Sequence, residues 1–210
     1  MDTTLPAAPA DTTVIFDYGG VLSQPQPPEA VAELERLAGV PAPDFWAAYW
    51  DQRRSYDGGL TAVEYWDRVA HQAGAEWDTS RTNELWAADV SSWLHVAPES
   101  VDLLHRAAAT GANVALLSNA PAGIANALRS SPALSVLRAQ FFSCDLRICK
   151  PDPAIYTRVL DALDLPPERS VFVDDREENV QAALRLGIDA HRFTGSGELE
   201  SFLTQRLGPV

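Results

Sequence analysis

The chain has 210 residues, enough for one substantial domain or a core with a smaller lobe attached. An apolar fraction of 46% and a charged fraction of 21% suit a globular protein rather than a disordered one. A formal charge of -13 repels phosphate backbones and argues against a nucleic-acid partner. It also means that an anionic substrate needs cations gathered locally.

The opening residues, MDTTLPAAPADT, lack a basic stretch and an apolar core, so no secretory leader is expected. No apolar run reaches the length of a membrane helix, and no membrane partner is expected. Cys144 and Cys149 are too few for a disulfide framework and lack a metal-site spacing. They read as reduced thiols, in keeping with a cytoplasmic setting.

The first strand expected is Val14-Ile15-Phe16, ending at Asp17. After it, residues 23–97 show helical stretches without a strand signal: Glu29–Ala38, Asp44–Ser55, Ala62–Gln72 and Thr79–Trp93. Pro25-Gln26-Pro27-Pro28 reads as a hinge. Thr61 with Glu64 makes a capping box, and Gly39 and Gly74 are helix stops. All six tryptophans, Trp46, Trp50, Trp66, Trp77, Trp86 and Trp93, fall in this region. Most are expected to fill its interior, with one or two lining a ligand cavity.

Pro98–Thr110 is the next helix, stopped by Gly111. Val114–Leu117 follows as a buried strand ending at Ser118-Asn119. Gln140–Ser143 is a weaker strand candidate. Asp152 caps a helix with Pro153 at its first position, reaching Leu163. Val171-Phe172-Val173 is a third apolar strand, ending at Asp174-Asp175. A helix over Arg176–Leu186, a weak strand at Ala190–Phe193 and a last helix from Ser196 complete the chain. Alternating strands and helices imply an α/β fold with a parallel, Rossmann-like sheet. Residues 1–22 and 98–210 form its core, and residues 23–97 form an inserted helical cap.

Parallel strands point the same way, so their polar endings emerge on one rim, where open α/β sheets bind ligands. Asp17, Ser118, Asn119, Asp174 and Asp175 are therefore expected in one crevice. Three carboxylates that close either raise a pKa or require a counter-cation. Mg²⁺ takes hard oxygen ligands and keeps a substrate phosphate in its shell. Lys150, in a stiff Cys149-Lys150-Pro151-Asp152-Pro153 segment, supplies a point charge for a phosphate oxygen. Alone, each residue reads more simply: a cap, a turn or a solvated loop. The combination in this order carries the chemistry.

That order resembles the haloacid dehalogenase (HAD) superfamily. The matching motifs are Val14-Ile15-Phe16-Asp17-Tyr18-Gly19-Gly20-Val21-Leu22, Leu116-Leu117-Ser118-Asn119, Lys150, and Val171-Phe172-Val173-Asp174-Asp175 followed by Asn179. The first motif is similar to sugar-phosphate phosphatases and to the phosphatase-like lobe of epoxide hydrolases. The resemblance implies a phosphatase of small phosphorylated metabolites acting through an aspartyl-phosphate on Asp17. It implies Mg²⁺ held by Asp17, the Gly19 carbonyl, Asp175 and Asp174, the last directly or through water. It also implies phosphoryl oxygens held by Ser118, Asn119 and Lys150.

Gly19 departs from the pattern, because phosphatases of this family carry an acid–base aspartate there. The substrate then has a good leaving group, or a cap residue or water supplies the proton, or the chain is a non-catalytic relative. A metal-independent 2-haloacid dehalogenase is the enzymatic rival, set back by the uncompensated Asp174-Asp175 pair. A phosphorylation-receiver domain would be shorter. Tyr18, Trp50, Arg53, Arg54 and Tyr56 are candidates to reach the cleft, and the assembly is expected to be a monomer or homodimer.

Overall fold

A computed structural model describes residues 12–210. The opening stretch read as carrying no leader falls, except for Thr12, outside the described residues. Five strands form one parallel sheet: β1 (Thr13–Phe16), β2 (Asn113–Ser118), β3 (Ala139–Phe142), β4 (Ser170–Asp174) and β5 (Asp189–Arg192). The order across the sheet is β3-β2-β1-β4-β5, which puts β1 in the centre. Phe16 sits level with Leu116 on one side and Val173 on the other. Asp17 and Asp174 are the next residues along and Ser118 lies one further, so all three come off three adjacent strands at one edge.

Both faces of the sheet are covered, which is why its central strands read as unbroken apolar runs. Val14, Phe16, Val114, Leu116 and Val173 pack with α5 (Pro98–Ala109), α6 (Ala122–Arg129) and α10 (Ser196–Leu207). Ile15, Ala115, Leu117 and Phe172 point the other way, toward α8 (Pro153–Leu163) and α9 (Glu177–Arg185). The period-two alternation of a strand divides one apolar run between two cores.

Between β1 and β2 lie α1 (Pro28–Ala38), α2 (Ala42–Asp57), α3 (Ala62–Ala73) and α4 (Thr79–Ser92). They gather Leu34, Phe45, Tyr49, Tyr65, Trp66 and Leu85 into a cluster of their own. The Thr61–Glu64 capping box forms, and Gly39 and Gly74 take left-handed conformations at their helix ends. Pro28 is the first residue of α1 rather than part of a hinge, in keeping with proline's fixed φ. The two connections to the sheet run side by side, paired through Ser23 and Val96, with Gln24 N donating to His95 O and Ala97 N to Leu22 O.

The helix α6 and the short helix α7 (Ser143–Leu146) carry no expectation from sequence. Both are brief, and tertiary packing decides segments of that length. The strand read as reaching Ser143 stops at Phe142, because Ser143 starts α7. Among the described residues no helix is long and apolar enough to cross a membrane.

Candidate active site

Asp17 is the first residue past the central strand. Its backbone N–H donates to Val173 O at 2.8 Å, continuing the β1–β4 ladder by one bond. One carboxylate oxygen, Oδ1, accepts from the Tyr18 N–H at 2.6 Å and lies 2.9 Å from Lys150 Nζ. Both contacts fall on Oδ1, and Asp17 lines a cavity of about 650 Å³. Burial first, then the charges of Asp174 and Asp175, push the Asp17 carboxyl up to about 7 despite the pull of Lys150.

Lys150 is buried at the centre of the group. Its ammonium donates to Asp174 Oδ2 at 2.6 Å and to the Leu117 carbonyl at 2.9 Å. Burial works against its charge, but Asp17 and Asp174 outweigh it and hold the pKa above the ordinary lysine value.

Asp174 and Asn119 both support this lysine. Asp174 was read as a metal ligand. It is wholly buried, and it accepts from Lys150 Nζ, the Arg176 N–H and both reaches of the Asn179 amide. Its oxygens also lie close enough to Asp17 and Asp175 to share an ion, one ligand atom of each within 4.8 Å of the others, as the expected ligand set requires. Asn119 was read as a phosphate donor. Its amide spans the Lys150 backbone, with Nδ2 donating to Lys150 O at 3.0 Å and Oδ1 accepting from Lys150 N at 2.9 Å. It positions the lysine.

Asp175 is half-buried beside Gly19 and Gly20. Burial, reinforced by Asp174, raises its pKa. Gly20 has φ +72, and a Cβ there would come 2.7 Å from Asp175 Oδ2, so only glycine permits this approach. Gly19 has open space where a side chain would stand, with nothing within 4 Å. Ser118, Asn119, Gly19 and Gly20 line the same cavity.

The charge balance decides what the floor of the cavity can hold. Asp17, Asp174 and Asp175 face one buried lysine, which leaves two formal negatives. A hard divalent cation would offset that charge, and Asp17, Asp174 and Asp175 are the carboxylates placed to hold one. The walls differ: Arg53, Arg54 and Arg176 join Lys150 in lining the cavity. A chain of net charge -13 thus concentrates cations around one acidic floor.

Tyr18, Trp50, Arg53 and Arg54 reach the cavity, as does Trp93. Tyr56 does not, because it stacks on Tyr65 at 4.1 Å inside the helical cluster. Trp66 is buried in that cluster, and Trp46 and Trp77 pack on it. Arg53 is itself held, by Asp57 at 2.9 Å and the Tyr49 hydroxyl at 2.6 Å. Sequence reading gave no role to Asp57, Arg176 or Asn179. Asn179 left one signal, an amide in the first turn of the helix after Asp174-Asp175. Asp57 left none, since forty residues separate it from Asp17.

A family model described as haloacid dehalogenase-like hydrolase matches residues 12–187. The validoxylamine A 7'-phosphate phosphatase of Streptomyces hygroscopicus subsp. limoneus is 29% identical over 198 residues, covering 89% of this chain and 87% of the relative. A HAD family enzyme of Bacteroides thetaiotaomicron, solved with magnesium and inorganic phosphate, has the same fold (TM-score 0.68, 20% identity, 86% of this chain and 93% of that one). So does the 2-haloacid dehalogenase of Pseudomonas syringae pv. Tomato DC3000 (TM-score 0.64, 20% identity, 87% and 86%).

Proposed function

Since the chain belongs to the haloacid dehalogenase-like hydrolases, we propose that it is a Mg²⁺-dependent phosphatase of small phosphorylated metabolites, working through an aspartyl-phosphate on Asp17. The observation that carries this reading is the acidic floor under a cationic wall. Asp17 keeps one oxygen free while Lys150 and the Tyr18 N–H hold the other. Bound Mg²⁺, with Asp17, Asp175 and the Gly19 carbonyl as its ligands, supplies charge neutralisation of the transferring phosphoryl group. Phosphatases among the relatives and a magnesium–phosphate complex among the solved neighbours support the same reading.

In this scheme Asp17 Oδ2 attacks phosphorus in line, and Lys150 and Ser118 hold the phosphoryl oxygens. Asn119 and Asp174 keep Lys150 in place. Arg54 and Arg176 draw the anion toward the cavity. The helices of residues 23–97 act as a cap, and Trp50 and Trp93 offer flat apolar faces to the part of the substrate beyond the phosphate. Two unpaired buried thiols suit a reducing, cytoplasmic setting.

The dehalogenase neighbour keeps a second reading in play. A haloacid brings its own carboxylate, and Asp175 beside Asp17 repels it without a cation. The two readings separate in one assay. Phosphate release from a panel of phosphorylated metabolites should require Mg²⁺ and stop with EDTA. Chloride release from 2-chloropropionate in EDTA, without phosphatase turnover, would replace this proposal with the dehalogenase one.

A further inference from the structure

On the phosphatase reading, the departing oxygen needs a proton that Gly19 cannot give. Three carboxylates line the cavity, Asp17, Asp175 and Asp57, and the first two form its floor. Tyr18 is a poor acid here: burial pushes its hydroxyl up to about 12, and it donates to Trp93 O at 2.9 Å. Burial also raises the Cys149 thiol. Asp57 remains.

Its placement is fixed from two sides. Asp57 is the last residue of α2, and its backbone carbonyl accepts from Ser143 Oγ at 2.6 Å. The same Oγ accepts from Ala120 N at 3.0 Å, so two hydrogen bonds tie Asp57 to the loop carrying Ser118 and Asn119. A Cβ on the following Gly58 would stand 3.8 Å from Cys149 Sγ, the neighbour of Lys150. In the side chain, Oδ1 accepts from Arg53 Nε at 2.9 Å, and 14% of the side chain is exposed. The cap thus presents a carboxyl to the cavity that Asp17 also lines, on a helix anchored to the core.

We propose that Asp57 is the general acid for the leaving group and the general base for the water that follows. As Asp17 bonds to phosphorus, the phosphorus–oxygen bond to the leaving group breaks and its electron pair stays on that oxygen. The oxygen takes the proton from Asp57. Water then attacks phosphorus and gives one proton back to Asp57, and the bonding pair returns to Asp17 as phosphate leaves. Burial raises the Asp57 pKa, Arg53 and Arg176 oppose the rise, and Asp89 adds to it. The C-terminus of a helix also favours the neutral form. Arg53 and Tyr56 on its own helix, Tyr65 on α3, Asp89 on α4, Arg176 before α9 and Cys149 before Lys150 are the charged and titratable groups that face it.

The test compares the parent with Asp57→Asn on dinitrophenyl, phenyl and alkyl phosphates in Mg²⁺. The amide keeps the shape and an acceptor for Arg53. Expected is a loss of about 10²–10⁴-fold in kcat/KM, which reports only the step that expels the leaving group, on alkyl phosphate, with a much smaller loss on dinitrophenyl phosphate, which needs no acid. The rate on alkyl phosphate should fall at high pH in the parent and lose that limb in the variant. An equal loss of kcat/KM on every ester makes Asp57 structural and overturns the assignment. So does a parent whose rate already drops steeply with leaving-group basicity. If the variant does not fold, the parent decides alone: parallel pH profiles for alkyl and dinitrophenyl phosphates overturn the proposal. A parent that hydrolyses no ester at all overturns the phosphatase reading together with it, whereas turnover with a steep series overturns only the role of Asp57.

Discussion

Lys150 Nζ and Asp174 Oδ2 stand 2.6 Å apart with both side chains shut away from solvent, and Asp17 lies 2.9 Å from the same ammonium on its other side. A buried pair is costly to break because the surviving charge has no partner. Lys150→Met should therefore destabilise the protein by about 3–5 kcal/mol in urea melts, besides abolishing turnover. Adding Asp174→Asn to Lys150→Met should restore part of that loss, since it removes one orphaned carboxylate. Additive losses in the double variant would show that the two residues do not act as a pair.

Asp17 carries a stability cost tied to pH. Its folded pKa rises from an ordinary 3.8 to about 7, so the folded state holds its proton more tightly than the unfolded one. This contribution is complete below the unfolded value and is lost as pH climbs through about 7. In metal-free protein, Asp17→Asn should thus melt higher than the parent, with the gap widening from pH 4 to pH 8. Mg²⁺ should raise the parent's Tm at pH 8 and do little for the variant. A gap that is constant with pH would mean that Asp17 ionises freely in the fold.

Gly20→Ala addresses the cation site from outside its ligands. The new methyl would press on Asp175 Oδ2 at 2.7 Å, and φ +72 strains any side chain. Disturbing a supporting contact of this kind weakens metal affinity by about 10–100-fold, which a Mg²⁺ titration of turnover reads directly. Gly19→Ala, with nothing within 4 Å of its Cβ, is expected to change that titration far less.

The same open space makes Gly19→Asp a gain-of-function experiment. Placed in the Asp57→Asn background, it puts a carboxyl where related phosphatases are expected to carry their acid. Alkyl phosphate hydrolysis should recover by about tenfold or more, toward the range typical of general acid catalysis. No recovery in a folded, metal-binding double variant would show that position 19 cannot reach the leaving oxygen.

Arg54 and Arg176 supply the outer charge of the cavity. Neutralising both, as Arg54→Gln with Arg176→Gln, should raise KM for a phosphorylated substrate and flatten its salt dependence, with kcat less affected. Equal loss in kcat would place one of them at the reacting phosphoryl group instead.

Much of this was open to reading from the residues in order. The three apolar runs before Asp17, Ser118 and Asp174 identify strands buried on both faces, and parallel strands must deliver their polar endings to one edge. Capping residues such as Thr61, Glu64 and Asp152 act within one turn of chain, so local chemistry is enough to place them. The short helices α6 and α7 lack that local support and were missed.

The sequence by itself determined the fold, the family and the set of polar residues that meet at the sheet edge, because strand periodicity and chain order are local properties. Only the tertiary structure decided how those residues divide the work. Hydrogen bonds across 24 to 31 residues commit Asp174 and Asn119 to Lys150, and helix packing brings Asp57 over the cavity while folding Tyr56 away from it. Such partnerships depend on which lone pair faces which donor, and that is settled by packing in three dimensions rather than by spacing along the chain.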